Sequence, residues 1–355
     1  VKIVLPAREL DDFENRMIAA MPGLVGDFEK SFTEPILRHE EKFERFVPII
    51  RGCINACSYC IVPTARGSEL ISRPPDEIFR EVKTLIDAGV MSITFLGQNV
   101  CAYGHEIRSI ANDPPPGWEN FPKGYGFVEL LSDIRERFGG ENIWFKFLTS
   151  HPKDVSDGLI DVVGSHTSFS RHFHLPLQAG DDEILQRMAR GYLSGYYEDL
   201  IGRIRKKLPD MRLSTDLIVG FPGEDEHAFE NTLEMVKKIG FDSAFTFLYS
   251  PRKGTPAEKW EDPVPLAEKK TRLQTLIELQ NRIALERAQS HVGENRTVLA
   301  EDFATGSKSR SDRMVTGHTR EEEMVILEGT HDDFGSRIEV KLIDANLRSF
   351  RGERK

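Results

Sequence analysis

The chain has 355 residues, and its 47 Lys and Arg against 57 Asp and Glu leave a net charge of −10. A hydrophobic content of 39% supplies a core and excludes a chain disordered throughout. The acidic balance excludes general adhesion to nucleic acid or membrane, but not a local basic patch. There is no apolar run of about 18 residues and no signal-peptide pattern at the start, so a cytoplasmic protein without a membrane span is expected.

Residues 1–45 carry short apolar runs with scattered charge and read as a linker remaining from something upstream. A strand is expected over 46–50, ending at Arg51-Gly52-Cys53. Pro74-Pro75-Asp76 opens a helix with Ile78, Val82, Leu85 and Ile86 on one face and Gly89 as its stop. Strands over 92–96, 143–148, 171–177, 211–219 and 241–249 then alternate with helices over 127–138, 182–188, 197–208 and 226–239, and 154–163 is weakly helical. Residues 112–123, rich in Pro and Gly, read as an inserted loop. Strand–helix alternation predicts an α/β fold with a parallel sheet, an incomplete (β/α)6 barrel over 46–290. Chemistry in such barrels sits at the C-terminal strand ends. Polar residues and glycines collect there: Cys53, Gly97-Gln98-Asn99, Ser150-His151, Gln178-Ala179-Gly180, Gly220 to Gly223 and Ser250-Pro251-Arg252.

A long charged helix over 266–289 bridges to a second unit, 291–355. Short alternating stretches at 297–300, 324–327 and 338–342, separated by Gly and polar turns, predict a small antiparallel β-barrel there. Its overall balance is slightly acidic, yet the charge is segregated. Lys308, Arg310 and Arg313 form one basic segment, and Arg348 and Arg351 lie in another. Two such segments on one face would follow an RNA backbone.

Four cysteines are too few for a disulfide scaffold at this length, and three of them, Cys53, Cys57 and Cys60, crowd into one loop. Three thiolates at Cys-x3-Cys-x2-Cys spacing suit three corners of a cubane iron–sulfur cluster, whose fourth iron stays open to a small molecule. Structural zinc is the alternative, with Cys101 recruited as fourth ligand.

That spacing, with Tyr59 before the last cysteine, resembles the radical S-adenosylmethionine (SAM) superfamily. The stretch Gly52-Cys53-Ile54-Asn55-Ala56-Cys57-Ser58-Tyr59-Cys60-Ile61-Val62-Pro63 further resembles its methylthiotransferase family. So do Leu96-Gly97-Gln98-Asn99-Val100, His174-Leu175-Pro176-Leu177-Gln178, Ser214-Thr215-Asp216 through Gly223-Glu224, and Phe245 through Arg252. The Leu-Gly-Gln-Asn-Val block is similar to the tRNA-acting, MiaB-type branch. Branches acting on a ribosomal protein or on threonylcarbamoyladenosine in tRNA are the alternatives.

The resemblance implies a radical-SAM barrel followed by an RNA-binding barrel of the TRAM kind. It implies a [4Fe-4S] cluster on Cys53, Cys57 and Cys60, with SAM chelated at the open iron. SAM cleavage would yield a 5′-deoxyadenosyl radical that abstracts hydrogen at C2 of an isopentenylated adenosine beside the anticodon. Tyr59 would pack near the SAM adenine, Gln98, Ser150, Gln178 and Asp216 would bond its polar groups, and Arg190 would pair with its carboxylate. The partners implied are the tRNA anticodon stem-loop and an electron donor such as flavodoxin or ferredoxin, with the chain a monomer. Full members of the family carry a second [4Fe-4S] cluster on three further cysteines in an N-terminal domain. Only Cys101 remains here beyond the triad, so that domain is expected to be missing and full methylthio transfer to be impaired.

Overall fold

The computed structural model describes residues 43–108, 114–304 and 313–355. Most of the expected linker, part of the 112–123 loop, and Lys308 and Arg310 lie outside these residues.

Strand β1 (Glu44–Pro48) starts earlier than expected, and Ile49 separates it from a short strand β2 (Ile50–Arg51). β2 pairs antiparallel with β3 (Ile71–Ser72), and the cysteine loop lies between them. Within that loop, Val62–Arg66 forms a one-turn helix, α1. Helix α2 (Pro75–Asp87) opens on Pro75 and buries Ile78, Val82 and Leu85. It stops where Gly89 takes φ +85°, a conformation that glycine adopts without strain.

β4 (Ser92–Leu96) and β5 (Trp144–Phe147) follow, and β1-β4-β5 form one parallel sheet. β6 (His172–His174), β7 (Arg212–Val219) and β8 (Ser243–Leu248) form a second. The sheets meet at a single parallel bridge between Phe145 and Phe169, where Phe145 N donates to Ser168 O at 2.7 Å and Ser170 N donates to Phe145 O at 2.9 Å. The predicted six-stranded partial barrel is therefore present, in two halves hinged on one bridge.

Helices α3 (Phe127–Phe138), α4 (Asp157–Gly164), α5 (Asp182–Arg187), α6 (Ser194–Lys207) and α7 (Glu226–Ile239) alternate with the strands. Strand residues of one parity, among them Val47, Ile93, Phe95, Phe145, Phe173, Leu213 and Leu217, are buried in one core with the helices' apolar faces. Residues of the other parity face the barrel interior and contact one another. Thr94 Oγ1 donates to Glu44 Oε1 at 2.9 Å, and Lys146 Nζ lies 3.3 Å from the same oxygen.

Helix α8 (Leu266–Ser290) crosses between the two units, placing Leu276 and Leu279 in the first core and Ala288 in the second. Gln280 Nε2 donates to Phe241 O at 3.0 Å and Arg287 Nε to Asp242 Oδ1 at 2.8 Å, fixing it to the entry of β8.

Beyond it, β9 (Asn295–Phe303), β10 (Met314–Thr319), β11 (Met324–Glu328), β12 (Arg337–Ala345) and β13 (Phe350–Arg354) close a barrel in the order β10-β11-β13-β12-β9. Val298, Val315, Val325, Leu327, Val340 and Leu342 fill it. The expected all-antiparallel pairing needs correction: β11 and β13 run parallel. β12 pairs with β9 instead of β11, so β13 returns beside β11 in the same direction.

The turn between β10 and β11 inserts into the open side of the partial barrel. Arg320 O accepts from Arg171 N at 3.0 Å and from Ser170 Oγ at 2.8 Å. Glu322, held at φ +63°, reaches the buried Lys146 at 2.7 Å. Glu323 pairs with Arg212 at 2.7 Å and Arg296 at 3.0 Å. A buried lysine without those carboxylates would be an uncompensated charge, so this turn serves as a plug.

Candidate metal centre and cofactor site

The cysteine loop leaves β2 through Gly52, which has φ +84°, and a Cβ there would stand 1.8 Å from Glu69 O. No other residue type fits that turn. Gly52 N donates to Gln98 Oε1 at 2.9 Å, tying the loop to the end of β4, and Cys53 N donates to Gly67 O at 3.2 Å. Cys60 N donates to Cys57 O at 3.1 Å, closing a tight turn between two of the cysteines. Ser58 fastens the loop to the segment after α5: its N donates to Met188 O at 3.1 Å and its Oγ to Arg187 O at 2.7 Å.

Burial raises the Cys53 and Cys60 thiols, and the neighbouring cysteines raise them further. Buried thiols need a positive counter-charge to ligate as thiolates. Arg190 supplies one, with Nη1 3.4 Å from Cys57 Sγ. Its guanidinium is buried and anchored, Nη2 donating to Pro176 O at 2.9 Å and Nε to the Tyr192 hydroxyl at 3.2 Å.

Cys101 lies outside the cysteine loop, in the segment after β4. It is buried, interacts with Ser150 and Asp154, and is pushed up to about 12 by desolvation. Among the described residues no three His, Cys, Asp or Glu side chains, the triad included, are drawn together around a metal ion, and the contacts of Cys101 are with Ser150 and Asp154. Three cysteines on one short loop, with a guanidinium against Cys57, suit three corners of a multi-iron cluster.

The other sequence-predicted residues fall into groups. Tyr59 joins the triad: its hydroxyl lies 3.5 Å from Arg190 Nη1, and its ring packs edge-on to Phe221 at 6.1 Å. Gln98 lies at the loop's root through Gly52. Gln178, at φ +74°, pairs its backbone with β7, its N donating to Asp216 O at 2.8 Å. The Asp216 carboxylate lies 3.5 Å from His174 Nε2. Ser150 is buried beside Cys101, apart from the triad's own contacts. Arg313 is exposed just before β10, Arg348 lies in the β12–β13 loop, and Arg351 is exposed on β13.

The sequence reading missed an interior polar group. His172 Nε2 and His174 Nδ1 lie 2.8 and 2.9 Å from Ser214 Oγ. Burial pushes His172 down to about 3, so it is neutral at pH 7. The signal was period-two spacing, His172-x-His174 opposite Ser214-x-Asp216, which places all four on one strand face. His151, singled out with Ser150 at a strand end, is buried against Tyr192 and pushed down to about 2 by burial, Arg190 and Lys153.

The Radical SAM superfamily profile matches residues 47–236. The chain is 42% identical over 319 residues to the tRNA-2-methylthio-N(6)-dimethylallyladenosine synthase of Desulfitobacterium hafniense, covering 90% of this chain and 66% of that one. It is 39% identical over 345 residues to the synthase of the same name from Clostridium botulinum, covering 97% and 69%. This chain thus spans about two thirds of the length of these curated relatives. Coproporphyrinogen III oxidase (HemN) from Escherichia coli, described as a radical SAM enzyme, overlays with TM-score 0.49 at 14% identity over 89% of this chain and 70% of its own, too loose a match to inform the site. The thiol loop, the partial barrel and these relatives agree: the chain belongs to the radical SAM superfamily and, within it, to the family of these methylthiotransferases.

Proposed function

We propose that this chain generates the radical and holds the RNA for 2-methylthiolation of N6-dimethylallyladenosine in tRNA, residues 46–290 doing the first and 291–355 the second. The observation that carries this reading is the Cys53–Cys57–Cys60 loop with the Arg190 guanidinium 3.4 Å from Cys57 Sγ. Bound there, a [4Fe-4S] cluster with SAM supplies the one-electron chemistry that activates an unreactive C–H bond.

The chain's own residues bind and orient. Cys53, Cys57 and Cys60 hold three irons. Arg190, its orientation set by Pro176 O and Tyr192, would pair with the carboxylate of SAM. Tyr59 presents a ring for the adenine, and Gln98, Ser150 and Gln178 beyond strand ends, with Asp216 inside β7 and not at its end as expected, supply polar groups for the rest of SAM. The turn Arg320 to Glu323 covers one side of the interior. Lys308, Arg310, Arg313, Arg348 and Arg351 follow the anticodon stem-loop. A flavodoxin- or ferredoxin-like protein feeds electrons to a cytoplasmic monomer. Among the described residues, no helix is long and apolar enough to cross a membrane.

The test is anaerobic reconstitution followed by dithionite. The reading expects 5′-deoxyadenosine and methionine from SAM with the wild-type chain, and neither with Cys57→Ala. SAM left intact by an iron-loaded wild-type chain would refute it. Affinity for the stem-loop is expected to fall steeply with salt, since phosphate contacts release counterions.

A further inference from the structure

A cleft of about 430 Å³ lies between the two barrels. Leu148, His174 and Phe245 stand on its partial-barrel wall, and Met324, Leu347 and Arg348 on its closed-barrel wall. The apolar members are conspicuously uncovered: Phe245 is 61% exposed, Leu347 49%, Met324 39% and Leu148 38%. An isolated exposed apolar side chain needs no explanation, but four around one cleft form a patch that a ligand would cover.

We propose that this cleft seats the substrate base, a purine bearing an apolar alkyl substituent, stacked on Phe245. The substituent lies against Leu148, Leu347 and Met324, and Arg348 at the rim meets the phosphate of the same strand. This assignment rests on the RNA-modifying radical SAM reading above and names where that reaction's substrate sits.

Three observations support it. First, Phe245 is one side chain removed from the proposed cofactor wall. Its ring lies 6.2 Å from the His174 ring, edge to face, and His174 Nε2 lies 3.5 Å from Asp216 Oδ2. A base on Phe245 is thereby linked through His174 to Asp216, one of the groups proposed to bond SAM. Second, the cleft's acids are already matched. Glu322 pairs with Lys146, and Glu323 with Arg212 and Arg296, so the acidic turn does not repel an anionic strand. Burial keeps His172 neutral at the floor, which leaves the seat suited to a flat uncharged ring. Third, both barrels build the walls. An occupant touches the RNA-holding and the radical-forming parts at once, which suits one nucleotide of a bound strand and not a free small molecule.

The test uses the full chain, reconstituted anaerobically. The probe is an anticodon stem-loop hairpin carrying N6-dimethylallyladenosine, compared with the same hairpin carrying plain adenosine. Affinity is read by fluorescence anisotropy, and iron content is measured in each sample. Phe245→Ala is expected to weaken the prenylated hairpin about tenfold or more, since stacking on an aromatic ring is among the larger contributions per base. Phe245→Trp restores a ring and is expected to restore affinity. Leu347→Ala is expected to shrink the preference for the prenylated over the plain hairpin. Unchanged affinity and unchanged preference in Phe245→Ala, at wild-type iron content, would overturn the seat. A wild-type chain that binds the hairpin through Phe245 yet takes up no iron would uphold the seat and refute the radical reading.

Discussion

The two barrels solve the problem of sheet edges in opposite ways. The C-terminal barrel closes on itself, pairing every strand with two neighbours, and so leaves no open edge. The partial barrel stays open, two three-stranded sheets joined by one bridge at Phe145 and Phe169, with β1 and β8 as its outer strands. Openness leaves an interior that carries charge: Glu44, Lys146, Arg212 and Asp242. The closed barrel supplies the missing counter-charges through Glu322 and Glu323. The closed barrel thus completes the open one, and the space left between them is the cleft proposed above to seat the substrate base.

Breaking the cysteine loop has the largest expected effect. Cys57→Ala removes the ligand at the centre of the triad, and iron content after reconstitution is expected to fall to background while the fold, read by circular dichroism, persists. Retained iron would show that the triad is not the centre.

Next comes the plug. Lys146→Met leaves Glu44 and Glu322 facing each other without a cation, an expected loss of about 3 kcal/mol by urea denaturation. Adding Glu322→Gln is expected to recover part of that loss. No recovery would mean that the turn does not act through this pair.

The third effect depends on pH. His172 titrates near 3 in the folded chain against an ordinary 6.5. Between those values the unfolded chain binds a proton that the folded chain does not, so stability falls as pH drops through that window. His172→Gln is expected to flatten the slope of urea midpoint against pH between 7 and 5. An unchanged slope would place the acid sensitivity elsewhere.

The smallest effect lies on the outer surface. Lys83→Ala breaks an exposed i,i+4 pair with Asp87 and is expected to cost no more than about 0.5 kcal/mol in the same denaturation assay. A cost as large as that of Lys146→Met would erase the contrast between the interior charges and the surface ones.

Local signals were legible in the sequence, and long-range ones were not. Helices Phe127–Phe138 and Glu226–Ile239 and strand Ser92–Leu96 stand where their periodicity and flanking glycines put them. The expected strand over 171–177 shrinks to His172–His174, because Pro176 lacks a ladder donor and Gln178 turns at φ +74°. The parallel β11–β13 pair was unreadable, since nothing local says which distant strand a segment joins. The same holds at the site. Cys53, Cys57, Cys60 and Tyr59 share one short stretch of chain, so their placement on one loop is legible locally. The contact of Arg190 with Cys57 spans 133 residues of chain, and only the fold reveals it. Phe245 read as part of a motif, and its exposure inside the cleft is a property of the assembled barrels.

The central claim is that Cys53, Cys57 and Cys60 carry a cluster with one iron free of protein ligands. Metal analysis after anaerobic reconstitution tests it most directly. The account predicts about four irons and matching sulfide per chain, lost together in Cys57→Ala. One zinc per chain and no iron would contradict it.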